Sequence, residues 1–244
     1  MIGSRKSNAH TSIRGAKGPD APPRGRQGCE LPAKRAVLTD FDGTITRTDV
    51  AEVILAEFAP PGWWEIEELH RARAIGTRET MARQFALLHA NQDDLLRFID
   101  SHVAMDETFL DFVRFCESGG ILLEIVSEGL DFYVRHLLRK WDIRVPVRTN
   151  RAIFEGGIVR IEYPWADATC TLCGTCKLLR LFELRTEGYR TAYVGDGHSD
   201  LCPALEADIV FAKEELARLC DEEEIPYTHF ERFADVQRGL AGFA

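Results

Sequence analysis

The chain has 244 residues, a formal net charge of −9 at pH 7 and hydrophobic side chains at 45% of its positions. This length suits one core domain with a modest insertion, and the apolar content is enough to bury a sizeable core. No stretch reaches the roughly 18 consecutive apolar residues that a membrane-spanning helix needs, so we expect no membrane partner.

The first 35 residues differ in composition from the rest of the chain. They contain eight Lys and Arg against two Asp and Glu, a net charge of +6, which leaves −15 for the remainder. A basic segment rich in Gly and Pro predicts a disordered tail at 1–35, and it lacks the apolar middle of a secretory signal. We therefore expect a cytoplasmic protein. The acidic body argues against nucleic acid as a partner, although the tail leaves contact with anionic partners open.

Residues 36–46, Ala-Val-Leu-Thr-Asp-Phe-Asp-Gly-Thr-Ile-Thr, form a short apolar run that ends in two carboxylates. Val37 and Leu38 are typical of a strand buried on both faces. Asp40 and Asp42 lie two residues apart, so both point to one side at the carboxyl end of that strand, where open α/β sheets bind ligands. Two like charges this close are costly to bury unless a cation such as Mg²⁺ lies between them. The alternative is an exposed strand end with an Asp-Gly turn.

About seventy residues with helical character follow this strand. Their apolar spacing predicts helices at 49–58, 65–74, 79–89 and 92–102. Pro60-Pro61-Gly62 breaks the first helix from the second, and Asn91 or Asp93 provides a cap for the last. The segment is therefore predicted to be a helical insertion.

The rest of the chain alternates strands with helices. Two apolar strands are predicted at 121–127, which ends in Ser127, and at 191–195, which is followed by Asp196 and, after a glycine turn, by Asp200. Lys177 begins a helix between them. Further helices are predicted at 130–139 and 200–206, and further strands at 145–149, 152–163 and 208–212, with a hairpin turn at Gly156-Gly157. This alternation predicts an α/β fold with a doubly wound parallel sheet.

Seven cysteines are present, an odd number in a chain without an export signal, so structural disulfides are not expected. Cys170, Cys173 and Cys176 form a C-x2-C-x2-C run directly before Lys177, and Cys202 follows Asp200. Four converging thiolates would suit a structural Zn²⁺. A redox-labile thiol cluster and inert packing remain the alternatives.

The acidic pair, the strand-end hydroxyl, the lysine and the second acidic pair occur in the chain order of the haloacid dehalogenase superfamily of phosphohydrolases, which the sequence resembles over about residues 36–230. The resemblance implies that Asp40 is the nucleophile and forms an aspartyl phosphate, while Asp42 protonates the leaving alcohol and later deprotonates water. It also implies Mg²⁺ held by Asp40, Asp196 and the backbone carbonyl of Asp42, with Asp200 orienting metal waters or Lys177.

The same resemblance gives roles to the remaining motif residues. Ser127 and nearby N–H groups would bind phosphoryl oxygens, and Lys177 would offset developing negative charge. Taken singly, Ser127 is equally a cap for the helix at 130–139, and Lys177 a solvated helix lysine. The superfamily places a helical cap at the insertion, so we expect a cap at 49–118 and a catalytic core at 36–48 and 119–244.

Within the superfamily the chain resembles subfamily IB, in particular the phosphatases of 2-hydroxy-3-keto-5-methylthiopentenyl-1-phosphate in methionine salvage and the related phosphoserine phosphatases. This resemblance lies in the Asp-Phe-Asp-Gly-Thr-Ile-Thr motif, the run at 58–63, the run at 129–134 and the cysteine-rich run before Lys177. Candidate substrate contacts are Asp49, Arg83, Glu128 and Gly129. Glu128 occupies a position where these relatives often have glycine, which leaves the substrate open.

The expected function is therefore Mg²⁺-dependent hydrolysis of a small phosphorylated metabolite. A binding or scaffold protein that uses the same fold without catalysis is the alternative, because fold alone does not specify function. The intact set of Asp40, Asp42, Lys177 and Asp196 favours catalysis.

Overall fold

The protein is described by a computed structural model covering residues 34–241, which all fall in one compact unit. The strands are β1 (Lys34–Thr39), β2 (Ile121–Leu130), β3 (Val147–Glu155), β4 (Ile158–Glu162), β5 (Tyr189–Gly195), β6 (Ile209–Ala212) and β7 (Thr228–His229). The helices are α1 (Val50–Phe58), α2 (Trp63–Arg71), α3 (Thr77–Phe85), α4 (Gln92–His102), α5 (Phe109–Ser118), α6 (Asp131–Lys140), α7 (Lys177–Thr186), α8 (Leu201–Ala204), α9 (Glu214–Glu222) and α10 (Phe233–Leu240).

The strands form one sheet in the order β4-β3-β2-β1-β5-β6-β7. All neighbouring strands run parallel except β3 and β4, which are antiparallel. β1 lies between β2 and β5, and its residues Ala36, Val37 and Leu38 are completely buried. The strand order reverses on the two sides of β1, so the carboxyl ends of three neighbouring strands meet where such sheets bind ligands. The predicted doubly wound α/β fold is confirmed.

The antiparallel pair is the hairpin predicted at Gly156-Gly157. Both glycines have positive φ angles, 60° and 81°, as a tight two-residue hairpin turn requires. The sequence predicted strand pieces at 145–149 and 152–163. The structure instead has β3 at Val147–Glu155 and β4 at Ile158–Glu162, and the two strands stay paired up to Glu155 and Ile158 on either side of this turn.

The four helices α1 to α4 form the insertion that follows β1. The chain leaves and rejoins the sheet through a short neck, in which Arg47 N–H bonds to Ala104 O (2.9 Å) and Asp106 N–H bonds to Ile45 O (2.8 Å). Asp49 caps α1 and Asn91 caps α4 through side-chain hydrogen bonds. None of the helices within residues 34–241 is long and apolar enough to cross a membrane.

Two features of the structure concern the domain boundaries that the sequence predicts. The predicted cap at 49–118 includes α5, yet α5 packs on β2 and on α10, with Phe109 and Phe112 4.7 and 5.1 Å from the ring of Phe233. Most of the predicted tail lies outside the described residues, but its last two, Lys34 and Arg35, already pair with β5 in β1.

A long loop at 163–176, here called the cysteine loop, joins β4 to α7 along the chain. It is also hydrogen-bonded to the insertion. The guanidinium of Arg78, in α3, donates to Cys173 O (2.9 and 2.7 Å) and Cys170 O (3.0 Å). The backbone N–H of Arg78 donates to Leu172 O (2.9 Å), and Arg78 O accepts a hydrogen bond from Tyr163 Oη (2.7 Å). One end of the insertion is therefore fastened to the segment that leads into α7.

Candidate active site

Side chains from several sequence motifs meet at the carboxyl ends of β1, β2 and β5. They line a cavity of about 920 Å³ whose opposite wall is formed by the insertion helices. Asp40, Asp42, Ser127 and Asp196 all line this cavity, and Lys177 lies beside it in contact with Asp40. The structure thus brings together the residues that the sequence analysis selected for catalysis.

Lys177 is the first residue of α7 and is 2% exposed. Its Nζ lies 2.8 Å from Asp40 Oδ2, 2.5 Å from Asp200 Oδ1 and 2.8 Å from Ser199 Oγ. Burial alone would lower the pKa of Lys177, but the charges of Asp200 and Asp40 outweigh it, so the pKa is raised. Lys177 is a fixed cation beside Asp40, which excludes a solvated helix lysine.

Asp200 is completely buried and uses both carboxylate oxygens. Oδ1 accepts from Lys177 and from Tyr193 Oη (2.5 Å), while Oδ2 accepts from the N–H groups of Asp196 (3.0 Å) and Gly197 (2.9 Å). Asp200 therefore orients Lys177 and the turn that carries Asp196.

Asp40, Asp196 and Asp200 form the one set of three or more potential metal-ligand side chains, with ligand atoms within 4.8 Å, found among residues 34–241. Asp40 and Asp196 line the cavity whereas Asp200 is completely buried behind them with both oxygens engaged, so Asp40 and Asp196 are the members available to a cation. Burial, with repulsion from Asp200, raises the pKa of Asp196 to about 7. A divalent cation would relieve this penalty, so the donor set suits a hard ion such as Mg²⁺.

The turn after β1 holds Asp196 close to the end of that strand. Thr44 Oγ1 donates to Asp196 Oδ1. Gly43 has a φ of 72°, and a Cβ on it would overlap the carboxylate of Asp196. Glycine is therefore required at this position both by backbone conformation and by space.

Asp42 is positioned by three donors. Its Oδ2 accepts from Tyr133 Oη (3.0 Å) and from Ser127 Oγ (3.4 Å), and its Oδ1 accepts from the Val50 N–H (3.2 Å). Burial, together with the charge of Asp49, raises the pKa of Asp42 to about 8. A carboxyl that retains its proton near neutral pH can donate it to a leaving group.

Ser127 does not cap the following helix. α6 has Leu130 at its N-cap and no side-chain cap, while Ser127 Oγ accepts from the Gly129 N–H at 2.9 Å. Three of the four predicted substrate contacts, Asp49, Glu128 and Gly129, line the cavity.

The structure does not bring the fourth predicted substrate contact, Arg83, to the cavity. Arg83 is paired with Glu79 at 3.1 Å and is not part of the cavity wall. The helical repeat explains this, because Thr77, Thr80, Met81 and Gln84 form the stripe of α3 that faces the cavity, and Arg83 lies on another face.

A polar cluster around Glu67, on the insertion side of the cavity, was not predicted from the sequence. Glu67 accepts hydrogen bonds from Gln84 Nε2 and Arg71 Nε, both at 3.1 Å, and lies beside His70. Burial would raise the pKa of Glu67, but these donors lower it to about 2. His70 and Arg71 lie on the same helix as Glu67, three and four residues later, whereas Gln84 lies in α3, so local spacing gives no indication of the contact between the two helices.

Tyr133, Tyr193 and Ser199 were also not selected from the sequence as site residues. Tyr133 is one helical turn after Gly129, so its position at the start of α6 was the available signal. Tyr193 and Ser199 flank Asp196 but resemble ordinary core and turn residues.

The cysteine loop gives no support to the predicted zinc site. Within residues 34–241 the sulfurs of Cys170, Cys173, Cys176 and Cys202 do not make a set of three ligand atoms within 4.8 Å. Burial first, then the charge of Glu128 and the neighbouring thiols of Cys170 and Cys176, raise the pKa of the Cys173 thiol.

Comparison with known proteins agrees with this geometry. The family model for haloacid dehalogenase-like hydrolases matches residues 37–205. A relative from Geobacillus thermodenitrificans, named 2-hydroxy-3-keto-5-methylthiopentenyl-1-phosphate phosphatase, is 36% identical over 83% of this chain and 94% of its own length. A relative of the same name from Exiguobacterium sp. is 32% identical over 84% of this chain and 97% of its own length.

Solved structures share the fold. A phosphoserine phosphatase structure, described as a phospho-aspartyl intermediate analogue, has a TM-score of 0.65 and 19% identity, and covers 86% of this chain and 99% of that one. A substrate-bound phosphoserine phosphatase has a TM-score of 0.66 and 18% identity over 86% of this chain and 98% of that one. At these identities the likeness concerns the fold.

Proposed function

This chain belongs to the haloacid dehalogenase-like hydrolase family and is a phosphatase, and we propose that it hydrolyses 2-hydroxy-3-keto-5-methylthiopentenyl-1-phosphate in methionine salvage. The substrate rests on one observation, the name shared by relatives that match more than four-fifths of this chain at 32 to 36% identity. Phosphoserine is the less favoured substrate, because the two phosphoserine phosphatase structures compared above match this chain at under 20% identity. The intact acidic and basic groups around Asp40 argue against a scaffold without catalysis.

The proposed reaction has two displacements at phosphorus. In the first, Asp40 forms a bond to phosphorus as the ester oxygen leaves, and Asp42 gives its proton to that oxygen. In the second, water attacks the aspartyl phosphate, Asp42 takes a proton from the water, and the Asp40 carboxylate is released with inorganic phosphate. Tyr133 holds Asp42 in place during both steps.

Lys177 supplies a fixed positive charge beside Asp40, and Ser127 supplies a hydroxyl for a phosphoryl oxygen. Phosphatases of this family generally use Mg²⁺, and Asp40, Asp196 and the backbone carbonyl of Asp42 would hold it. When bound, the ion adds positive charge next to the phosphoryl oxygens. The zinc that the cysteine spacing allowed is not part of the proposal.

We assign the role of cap to α1 to α4, residues 50–102, because α1, α2 and α3 form the cavity wall opposite Asp40 and α4 packs against α1. Asp49 and Gly129 remain the proposed substrate contacts, whereas the carboxyl of Glu128, also predicted to contact substrate, is committed to the backbone N–H groups of Gly174 and Thr175. Leu55 and Met81 are buried apolar members of the same wall and suit the methylthio end of the substrate. The cytoplasmic location and the absence of a nucleic-acid partner stay predictions.

A panel of phosphate esters tests the substrate. The purified protein, with Mg²⁺, is assayed on the methylthiopentenyl ester, on phosphoserine and on p-nitrophenyl phosphate, with Asp40→Asn as the control. We expect the highest kcat/KM for the methylthiopentenyl ester and no turnover by the variant. A higher kcat/KM for phosphoserine would transfer the assignment to the alternative.

A further inference from the structure

Glu128 carries a buried carboxyl that the reaction above does not use. It follows Ser127 at the end of β2 and is 8% exposed. Its Oε2 accepts hydrogen bonds from the backbone N–H groups of Gly174 (2.9 Å) and Thr175 (3.1 Å). Its Oε1 is the one buried side-chain nitrogen or oxygen without a hydrogen-bond partner in the part of the chain that the structure describes. The carboxyl thus commits one oxygen to the backbone of the cysteine loop.

Asn150, in β3, reinforces this connection. Its Nδ2 donates to Glu128 O (2.5 Å), and its Oδ1 accepts from Thr175 Oγ1 (3.0 Å). Asn150 and Thr175 are both completely buried. The end of β2, the strand β3 and the last residues of the cysteine loop therefore form one hydrogen-bonded unit, in a region where water does not compete.

The loop residues held by Glu128 lead directly into α7. Lys177 is two residues beyond Thr175, and Cys176 is the N-cap of the helix. The ammonium end of the Lys177 side chain is held by Asp200 and Ser199, as described above. Glu128 acts on the backbone instead, because it holds Gly174 and Thr175, the residues shortly before Lys177 in the chain.

We propose that Glu128 is a positioning residue that sets the place of Lys177 relative to Ser127, by clamping the Gly174–Thr175 backbone to the end of β2. Ser127 and Glu128 are consecutive, so the clamp fixes the distance between the strand-end hydroxyl and the start of α7. The consequence is a lysine that is already aligned with Asp40 before substrate binds. This inference rests on the role proposed for Lys177 in catalysis.

Three variants separate the clamp from other roles. Glu128→Gln keeps one side-chain oxygen that can accept both N–H bonds, whereas Glu128→Ala removes the acceptor. Thr175→Val is the matched control, because it removes the hydroxyl bond to Asn150 but keeps the N–H bond to Glu128. The kinetic constants of each are measured with p-nitrophenyl phosphate and Mg²⁺, beside wild type and Lys177→Ala, and thermal unfolding shows which variants are folded.

We expect Glu128→Ala to lower kcat about tenfold to a hundredfold, as a misplacement near 1 Å does, with KM within about threefold of wild type. Glu128→Gln and Thr175→Val should keep kcat within about threefold of wild type. If Glu128→Gln is as impaired as Glu128→Ala, or if Glu128→Ala turns over at the wild-type rate, the clamp is not what the carboxyl provides.

A crystal structure of Glu128→Ala tests the clamp whatever the substrate. We expect Gly174 and Thr175 to shift and Lys177 Nζ to move away from Asp40, and an unmoved Lys177 would overturn the inference. By contrast, wild-type turnover in Lys177→Ala would reject the role of the lysine in the proposed function.

Discussion

Tyr133→Phe tests how the general acid is held. Tyr133 is completely buried, and its hydroxyl donates to Asp42 Oδ2 at 3.0 Å. Phenylalanine keeps the ring, which packs with the rings of Phe132 (centroids 5.2 Å apart) and Phe41 (6.5 Å). The substitution therefore removes one hydrogen bond and leaves the packing in place.

The expected loss follows from the strength of that bond. As Asp42 gives up its proton, the bond from Tyr133 becomes a hydrogen bond to a charged group, which contributes about 1.5 to 3 kcal/mol, and about 1.4 kcal/mol changes a rate tenfold. Asp42 keeps its bond to the Val50 N–H, so we expect kcat for an alkyl phosphate to fall roughly tenfold to a hundredfold. The Tyr133 bond lowers the pKa of Asp42 against the effect of burial, so its loss should move proton release by Asp42 to higher pH.

Rapid-mixing kinetics can assign the effect to a step. With p-nitrophenyl phosphate the leaving group needs little protonation, so the first release of nitrophenolate should be nearly as fast in Tyr133→Phe as in wild type. The later steady state, in which Asp42 must take a proton from water, should be slower. Unchanged kcat for the alkyl ester would refute the assignment of Asp42 as the acid that Tyr133 positions.

Two further predictions follow from the charges of the site. Removal of divalent ions with a chelator should abolish turnover, and added Mg²⁺ should restore it, because Asp40 and Asp196 are buried together; full activity in the chelator would contradict the metal assignment. Glu67→Gln should lower the free energy of unfolding by about 1 kcal/mol at pH 7, since it removes a partly exposed ionised group with several donors. The pKa of Glu67 lies near 2 in the folded protein against 4.5 ordinarily, so this stabilisation is complete above about pH 4.5 and is lost as the pH falls towards 2. Urea unfolding of both proteins between pH 7 and 3 should show the difference shrinking, and a constant difference would be evidence against an ionised Glu67.

The strand-end residues could be predicted from the sequence because each belongs to a short local pattern. An apolar run followed by Asp40 or Ser127 specifies both the strand and the end at which the side chain lies. Parallel strands then bring these ends together without further information. For the same reason α4 was predicted with its observed ends, since Asn91 is a local cap signal.

Features that depend on distant partners were not predictable in this way. The cysteine spacing predicted a metal site but gave no indication that the backbone of that loop is held by Arg78 and Glu128, which are remote in sequence. Arg83 was chosen from its place in the insertion, whereas the face it occupies depends on the register of α3 against the cavity. Helix α5 was grouped with the insertion because no local pattern indicates that it packs against Phe233, which lies more than a hundred positions later.

The most direct test of the mechanism is to trap the phosphorylated enzyme. Enzyme and Mg²⁺ are mixed with substrate, quenched within the first turnover and treated with borohydride, which reduces an aspartyl phosphate to homoserine, and the peptides are sequenced by mass spectrometry. The account predicts homoserine at position 40 in the wild type and at no position in Asp40→Asn. Modification at another residue, or turnover by Asp40→Asn at the wild-type rate, would contradict it.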